Sequence, residues 1–150
     1  EVGALDEEKL VRMEALLDQK KVVAVGEIGL DYYWDHESHD LQKEWFIRQL
    51  ELARKHNLPV LIHSREAAAD TMEIMKGHAQ GLNGVIHCYS YSVLETDCPY
   101  LAPEPFRGKR NQSAYIQYVA EKIAEIKEIS YEEVVAQTEK NARAMYGLDA

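Results

Sequence analysis

The sequence predicts an α/β protein whose strands are parallel. Three short apolar runs, at residues 22–25, 60–62 and 84–86, are separated by segments with the apolar spacing of amphipathic helices. The runs are rich in valine and isoleucine and do not alternate with polar residues, which is typical of parallel strands buried on both faces. Because parallel strands need a long connection, the intervening helices fit as crossovers between them.

Length and charge narrow the class of protein. With 150 residues, 46% of them hydrophobic, the chain is long enough for one domain with a substantial core. It carries 17 Lys and Arg against 26 Asp and Glu, a net charge of −9, which excludes nonspecific polyanion binding by the whole molecule. Any contact with a nucleic acid must therefore use a local basic patch or metal ions.

Cysteine content and hydropathy indicate a compartment. Cys88 and Cys98 give no disulfide framework, and the sequence shows neither a signal peptide nor a long apolar span. We therefore expect a cytoplasmic protein that does not associate with membranes.

The segments around the first two strands are predicted to be helical. Helices are expected at residues 6–19, at 38–56 with Ser38 as N-cap, and at about 66–76. Between the first strand and the second helix lies an aromatic loop, Tyr32 to Trp34. This loop offers a surface for base stacking, although packing of the loop on its own helix is the favoured interpretation.

The second half of the chain contains one irregularity of spacing. Residues 93–97 resemble a fourth strand, yet Asp97 follows His87 by only 10 residues, whereas His63 follows Glu27 by 36 and His87 follows His63 by 24. A parallel crossover needs a dozen or more residues. We therefore expect one domain over residues 1–150 with a deletion or gap near residues 92–93.

The end of the chain is predicted to consist of a loop and two helices. The loop at residues 101–111 is bounded by prolines and holds a basic cluster of Arg107, Lys109 and Arg110. The last helix is expected to start at a capping box formed by Ser130 and Glu133 and to end at Gly147.

Polar residues end the predicted strands, and together they suggest a metal site. They are Glu27, His63, His87 and Asp97. Each alone is a weak signal, because Glu27 and the nearby Asp31 also fit as turn residues and a single histidine is more often a hydrogen-bonded edge residue. Strand ends in a closed or half-closed barrel would point all four at one cavity. Imidazole with carboxylate suits Zn, Mn or Fe, and carboxylates also admit Mg.

Five motifs carry a family resemblance. They are the segments VGEIGLD at residues 25–31, LIHSR at 61–65, VIHCYS at 85–90, LETDCP at 94–99 and PFRGKRN at 105–111. In this order the sequence resembles the TatD-type metal-dependent deoxyribonucleases. The resemblance implies a TIM-like barrel of the amidohydrolase kind that binds two divalent cations (Mg, Mn or Zn) and cleaves phosphodiester bonds of DNA, commonly as an exonuclease.

The resemblance also implies roles for individual residues. Glu27 would bridge the two metals, and His63 and His87 would complete one site. Asp97 would bind the other metal and orient or deprotonate the attacking water. Candidate phosphate contacts are Arg65, Arg107 and Lys109. For the basic cluster the alternative role, solubility and loop packing, is equally favoured.

The sequence departs from the family pattern in what it lacks. No His-x-His strand is present, and about four of the eight strands of a TIM-type barrel are expected, so that only one metal has a convincing ligand set. The chain could omit segments of the protein, be a fragment, or pair with a second copy as a homodimer that closes one barrel. We favour omitted segments, and an intact mass clearly above 17.2 kDa would support this explanation.

Three functions are compatible with this pattern. The leading hypothesis is a two-metal phosphodiesterase acting on DNA. A related enzyme that hydrolyses an amide or lactone with the same metal centre is the second. A catalytically silent remnant that binds a metal or a partner is the third, and it would bind a divalent ion without turnover.

Overall fold

The computed structural model describes residues 5–36, 38–87 and 94–148. It consists of two compact units, Glu1–His87 and Cys88–Ala150, and each is described by itself. The first unit contains α1 (Glu7–Leu17), β1 (Val25–Asp31), α2 (His39–Lys55), β2 (Val60–Arg65), α3 (Ala68–His78) and β3 (Gly84–Ile86). The second contains a 3₁₀ turn (Ser113–Tyr115), α4 (Ile116–Lys127) and α5 (Tyr131–Tyr146). None of the helices in these described ranges is long and apolar enough to cross a membrane.

The first unit is built on a parallel sheet, as the sequence predicts. Its strand order is β1-β2-β3, and both strand pairs are parallel. Helix α2 packs on β1 and helix α3 on β2. The core between helices and sheet includes Leu30, Phe46, Leu50 and Ile62, which are almost fully buried. This part of the chain is a series of βα units.

The position of β1 differs from the prediction. The strand begins at Val25 rather than Val22 and continues to Asp31, so Glu27 lies inside the strand and not after it. The register between Val25 and Ile28 shifts relative to β2, which marks a β-bulge that contains Glu27. A bulge inserts an extra residue and redirects a side chain. The glutamate therefore leaves the buried face without ending the strand.

The strands are not buried on both faces, contrary to the prediction. Along β1, Val25, Ile28 and Leu30 are buried whereas Glu27 is exposed, and β2 alternates in the same way. Within the described residues, the buried strand side chains share one core cluster with Phe46 and Leu50 of α2 and Ile74 of α3, and successive strand residues point to opposite faces. The other face is therefore available to polar side chains.

The helix N-termini agree only in part with the caps expected from the sequence. The side chain of Asp6 accepts a hydrogen bond from the Lys9 amide and caps α1. Ser38 occupies the N-cap position of α2, as predicted, but its side chain makes no capping bond; its amide donates to Asp35 Oδ1, at 3.0 Å. The capping box of Ser130 and Glu133 is present in both directions.

The predicted fourth strand is not formed in the residues that the structure describes. Residues 94–97 have no regular structure, so the described sheet has three strands instead of four. Val93 and the proposed gap near residues 92–93 lie outside the described ranges. The second unit is instead held by helices α4 and α5, with Ala120, Ala124 and Val134 buried between them.

Asn111 ties together the loop that carries Asp97. This side chain is 5% exposed, and its Nδ2 donates to the carbonyl oxygens of Thr96 and Tyr100, both at 2.6 Å. Its Oδ1 accepts from the Gln112 amide at 2.8 Å. Three hydrogen bonds from one buried amide therefore fix both ends of the segment 96–112.

Replacing Asn111 by Ala should lower the free energy of unfolding by about 1–3 kcal/mol, because two part-buried carbonyl oxygens and one amide lose their partner. Urea denaturation followed by circular dichroism measures this change. The exposed neighbour Gln112 provides the control, since Gln112→Ala keeps the same backbone and should change the unfolding free energy by less than about 0.5 kcal/mol. Equal urea midpoints for the two variants would show that the loop does not depend on Asn111.

Candidate metal centre

Two glycines bring β1 unusually close to β2 where Glu27 lies. A Cβ atom on Gly26 would lie 2.5 Å from Leu61 Cβ, and one on Gly29 would lie 2.0 Å from the carbonyl oxygen of His63. Gly29 also has φ +136°, a conformation that L-residues rarely adopt. The motif Gly-Glu-Ile-Gly is therefore required by backbone packing as well as by the placement of the glutamate.

Register places the polar side chains on the face of the sheet that the helices do not cover. His63 pairs with Gly29, and Arg65 pairs with Asp31. On the other side of β2, Ile62 pairs with Ile86, so that His87, the next residue, follows the end of β3 beside His63. The rings of His63 and His87 have centroids 6.1 Å apart.

Glu27, His63 and His87 form one group of possible metal ligands. One ligand atom from each residue lies within 4.8 Å of those of the other two. His87 Nδ1 lies 3.2 Å from Glu27 Oε1, and the side chains of His87, His63 and Glu27 are 12%, 32% and 49% exposed. The group is thus partly sheltered and open on the glutamate side.

The geometry and chemistry of this group fit a divalent cation. Two atoms bound to one cation at about 2.1 Å can be at most about 4.2 Å apart. The three ligand atoms lie within 4.8 Å of one another, so small side-chain rotations would bring all of them into reach of one cation. Two imidazole nitrogens and one carboxylate are a donor set that suits Zn, Mn or Fe. Three protein ligands also leave coordination positions for water and substrate.

Asp31, the last residue of β1, contacts both this group and the aromatic loop. Its Oδ2 lies 2.9 Å from His63 Nε2, and its Oδ1 accepts hydrogen bonds from the amides of Tyr33 and Trp34 at 3.0 and 3.1 Å. Partial burial by itself raises the pKa of the Asp31 carboxyl, but the hydrogen bonds from His63 and the two amides outweigh burial and hold this pKa below its ordinary value. The carboxylate form is therefore favoured.

The backbone of Asp31 is held by Gln42 of α2. Gln42 Oε1 accepts from the Asp31 amide at 2.8 Å, and Gln42 Nε2 donates to the Asp31 carbonyl oxygen at 3.1 Å. Gln42 is 3% exposed. The sequence analysis assigned no role to Gln42 and treated Asp31 as a turn residue. The role of Asp31 could have been inferred from its position, because it is a second acid on the same strand as Glu27.

The aromatic loop divides into a packed residue and two exposed ones. The Tyr32 hydroxyl donates to Asp70 Oδ2 at 2.6 Å and its ring stacks on His39, which confirms the packing interpretation for this residue. Burial and the bond to Asp70 raise the pKa of Tyr32 well above its ordinary value. Tyr33 and Trp34 are 42% and 74% exposed.

Arg65 lies against the exposed part of the aromatic loop. Its guanidinium carbon is 4.2 Å from the centroid of the Tyr33 ring and 5.7 Å from that of Trp34. Cation–π contacts of this kind orient an arginine without neutralising its charge. Arg65, a predicted phosphate contact, therefore places a positive charge at the end of β2, two residues after His63.

The remaining predicted site residues belong to the second unit. Asp97 is partly buried, has φ +52°, and its carbonyl oxygen accepts from the Tyr100 amide at 2.8 Å. Arg107 and Lys109 are exposed, and Lys109 Nζ lies 5.8 Å from the centroid of the Phe106 ring. Of the four predicted metal ligands, the structure groups Glu27, His63 and His87, and their roles as ligands remain predictions.

Fold and donor set together define a class: a parallel α/β protein with a candidate cation site on the open face of its sheet. Comparison with known sequences then identifies the family. The family described as TatD related DNase matches residues 1–93 and 91–147, and the chain belongs to it. The structure of the TatD homologue YJJV from Escherichia coli K12 is similar over 97% of this chain and 74% of its own, with a TM-score of 0.88 and 24% identity.

Two relatives illustrate the range of similarity. The uncharacterized metal-dependent hydrolase YabD of Bacillus subtilis (strain 168) is 37% identical over 191 residues, which cover 99% of this chain and 75% of YabD. A protein of Pantoea vagans (strain C9-1) named 3'-5' ssDNA/RNA exonuclease TatD is 27% identical over 182 residues, covering 91% of this chain and 70% of that protein.

Proposed function

We propose that the protein is a divalent-cation-dependent hydrolase that cleaves phosphodiester bonds of DNA, as an exonuclease. The observation that carries this proposal is the convergence of Glu27, His63 and His87 on the open face of the parallel sheet. Membership of the family described as TatD related DNase and the exonuclease name of the Pantoea relative support the choice of substrate.

The proposed chemistry divides between the ligands and the residues around them. A bound cation would polarise a phosphoryl oxygen and lower the pKa of a water molecule. Glu27, the anionic member of the group, supplies an oxygen, and His63 and His87 each supply a neutral nitrogen. With two cations, Glu27 would be the shared ligand and Asp97 would orient or deprotonate the attacking water.

Arg65 is the residue that we propose for the substrate phosphate. Guanidinium groups bind phosphate oxygens through paired hydrogen bonds. Because Tyr33 and Trp34 hold the Arg65 side chain from one side, less rotational freedom is lost on binding than for an unrestrained arginine. The exposed ring of Trp34 offers a face for a nucleobase, which suits an unpaired strand better than a duplex.

We also infer that the chain lacks an internal segment near residues 92–93, about the size of one βα unit. The family match falls in two parts that meet at residues 91–93. The alignment with YabD runs over 191 positions against 150 residues here, so at least 41 positions of YabD have no counterpart in this chain. A strand, a helix and their loops need roughly 30 residues or more.

Chelation should abolish the stepwise shortening of a 5'-labelled single-stranded oligonucleotide, and added Mn²⁺ should restore it. Denaturing gel electrophoresis would follow the products. A ladder that shortens one nucleotide at a time is expected for an exonuclease, and a product unchanged by EDTA would contradict the proposal. Metal binding without turnover on DNA would favour a silent metal-binding protein, and turnover on an amide or lactone panel alone would favour the related hydrolase chemistry.

A further inference from the structure

One carboxylate connects the candidate metal centre with the aromatic loop. Both oxygens of Asp31 are in use: Oδ2 faces His63 Nε2 at 2.9 Å, and Oδ1 accepts from the amides of Tyr33 and Trp34. The side chain therefore cannot rotate without losing bonds on one side. Its position fixes the orientation of the His63 ring relative to the loop.

The support behind this carboxylate is itself rigid. Gln42 binds the Asp31 amide and carbonyl oxygen at once, and Gln42 is buried on helix α2. A buried amide that satisfies both backbone groups of one residue opposes any shift of that residue along the strand. The chain of contacts thus runs from α2 through Asp31 to His63.

This arrangement determines which nitrogen of His63 is available. An ionised carboxylate only accepts hydrogen bonds, so the nitrogen that faces Asp31 must carry the proton. In neutral His63 the proton is then on Nε2, and the lone pair is on Nδ1. A metal binds the nitrogen without a proton, and ligand histidines commonly donate their other N–H to a carboxylate.

We propose that Asp31, held by Gln42, is a positioning residue of the metal centre that keeps His63 in the tautomer whose Nδ1 binds the cation. This inference rests on the proposed metal-dependent function. In this role Asp31 acts through His63 and through the loop that places Tyr33 and Trp34 beside Arg65.

Replacing Asp31 by Asn tests this role. The amide would still fill the space, but its NH₂ group would donate to His63 Nε2 and move the proton to Nδ1, the nitrogen that the cation needs. If the amide turned the other way, its NH₂ group would oppose the amides of Tyr33 and Trp34. The dissociation constant for Mn²⁺, measured by calorimetry, should rise about 10- to 100-fold.

A second measurement separates this role from a general structural one. The ¹⁵N chemical shifts of His63 in the metal-free protein should show a proton on Nε2 in the parent chain and a shift of the tautomer toward Nδ1 in Asp31→Asn. Asp40→Asn, at a fully exposed acid on α2, is the matched control and should leave both measurements unchanged. Urea midpoints of the metal-free proteins would show that each variant is folded.

The possible outcomes distinguish this inference from the proposed function. If the parent binds Mn²⁺ and Asp31→Asn binds it equally well, or if the His63 tautomer does not change, the positioning role is overturned and the nuclease proposal stands. If the variant loses affinity but the parent cleaves no DNA, the nuclease proposal fails and the positioning role stands. A parent that binds no divalent cation overturns both.

Discussion

Replacing Glu27 by Gln is expected to weaken binding of Mn²⁺ at least about 100-fold and to abolish metal-stimulated hydrolysis of DNA. Glu27 is the carboxylate of the three-residue group, so its neutralisation removes the negative charge that these three side chains offer to a cation. Loss of residues that merely support a ligand costs about 10- to 100-fold in metal affinity, and a direct ligand should cost at least as much.

The substitution should leave the fold intact. Gln has the same shape as Glu, and its carbonyl oxygen can still accept a hydrogen bond from His87 Nδ1, which lies 3.2 Å from Glu27 Oε1. Calorimetry measures the affinity, and Glu51→Gln on the exposed face of α2 provides a control with the same chemical change. If Glu27→Gln bound Mn²⁺ as tightly as the parent, any bound cation would have to lie outside this group.

Strong periodic patterns predicted the order and type of the elements in the first unit. Helices α1 to α3 and strand β3 lie close to the predicted positions, because apolar spacing and short valine-rich runs are local signals. The parallel pairing followed from the need for helical crossovers between the strands. The prediction grouped Glu27, His63 and His87 because each was expected to end a strand; the structure does group them, but Glu27 lies in a bulge inside β1 and His63 lies inside β2.

Features that depend on contacts between strands were not predicted. The bulge around Glu27 lies where Gly26 and Gly29 let β1 approach β2, and glycines in an apolar run fit a turn as well as a bulge, so the local pattern of residues 22–31 does not decide between them. The prediction also placed the start of β1 three residues too early, because Val22 to Ala24 are as apolar as the strand but do not pair with β2. The support of His63 by Asp31 was missed because it joins two strands whose register the sequence does not reveal.

The second unit shows how an apolar pattern can be misinterpreted. Residues 93–97 have the composition of a strand, but composition does not supply a partner, and the described residues 94–97 pair with no strand. Leu94 instead packs against the small core of α4 and α5, and Thr96 is held by Asn111. Tertiary contacts thus override a local preference for β-structure.

The largest effect on stability is expected from Gly29→Ala, which should lower the free energy of unfolding by about 3 kcal/mol or more. The added Cβ would lie 2.0 Å from the carbonyl oxygen of His63, a backbone atom that cannot move without shifting β2. Alanine would also have to adopt φ +136°, at a cost of roughly 1–3 kcal/mol. Urea denaturation of the metal-free chain measures the change.

Gly77→Ala is the matched control for this prediction. Gly77 lies in helix α3, and a Cβ atom there would meet nothing within 4 Å. The same substitution at this site should raise the free energy of unfolding by about 0.5–1 kcal/mol, because alanine loses less backbone entropy than glycine in a helix. Opposite signs for the two variants would show that Gly29 is required by close contact between β1 and β2. A Gly29→Ala protein as stable as the parent would contradict this contact, and with it the bulged path that carries Glu27 toward His63 and His87.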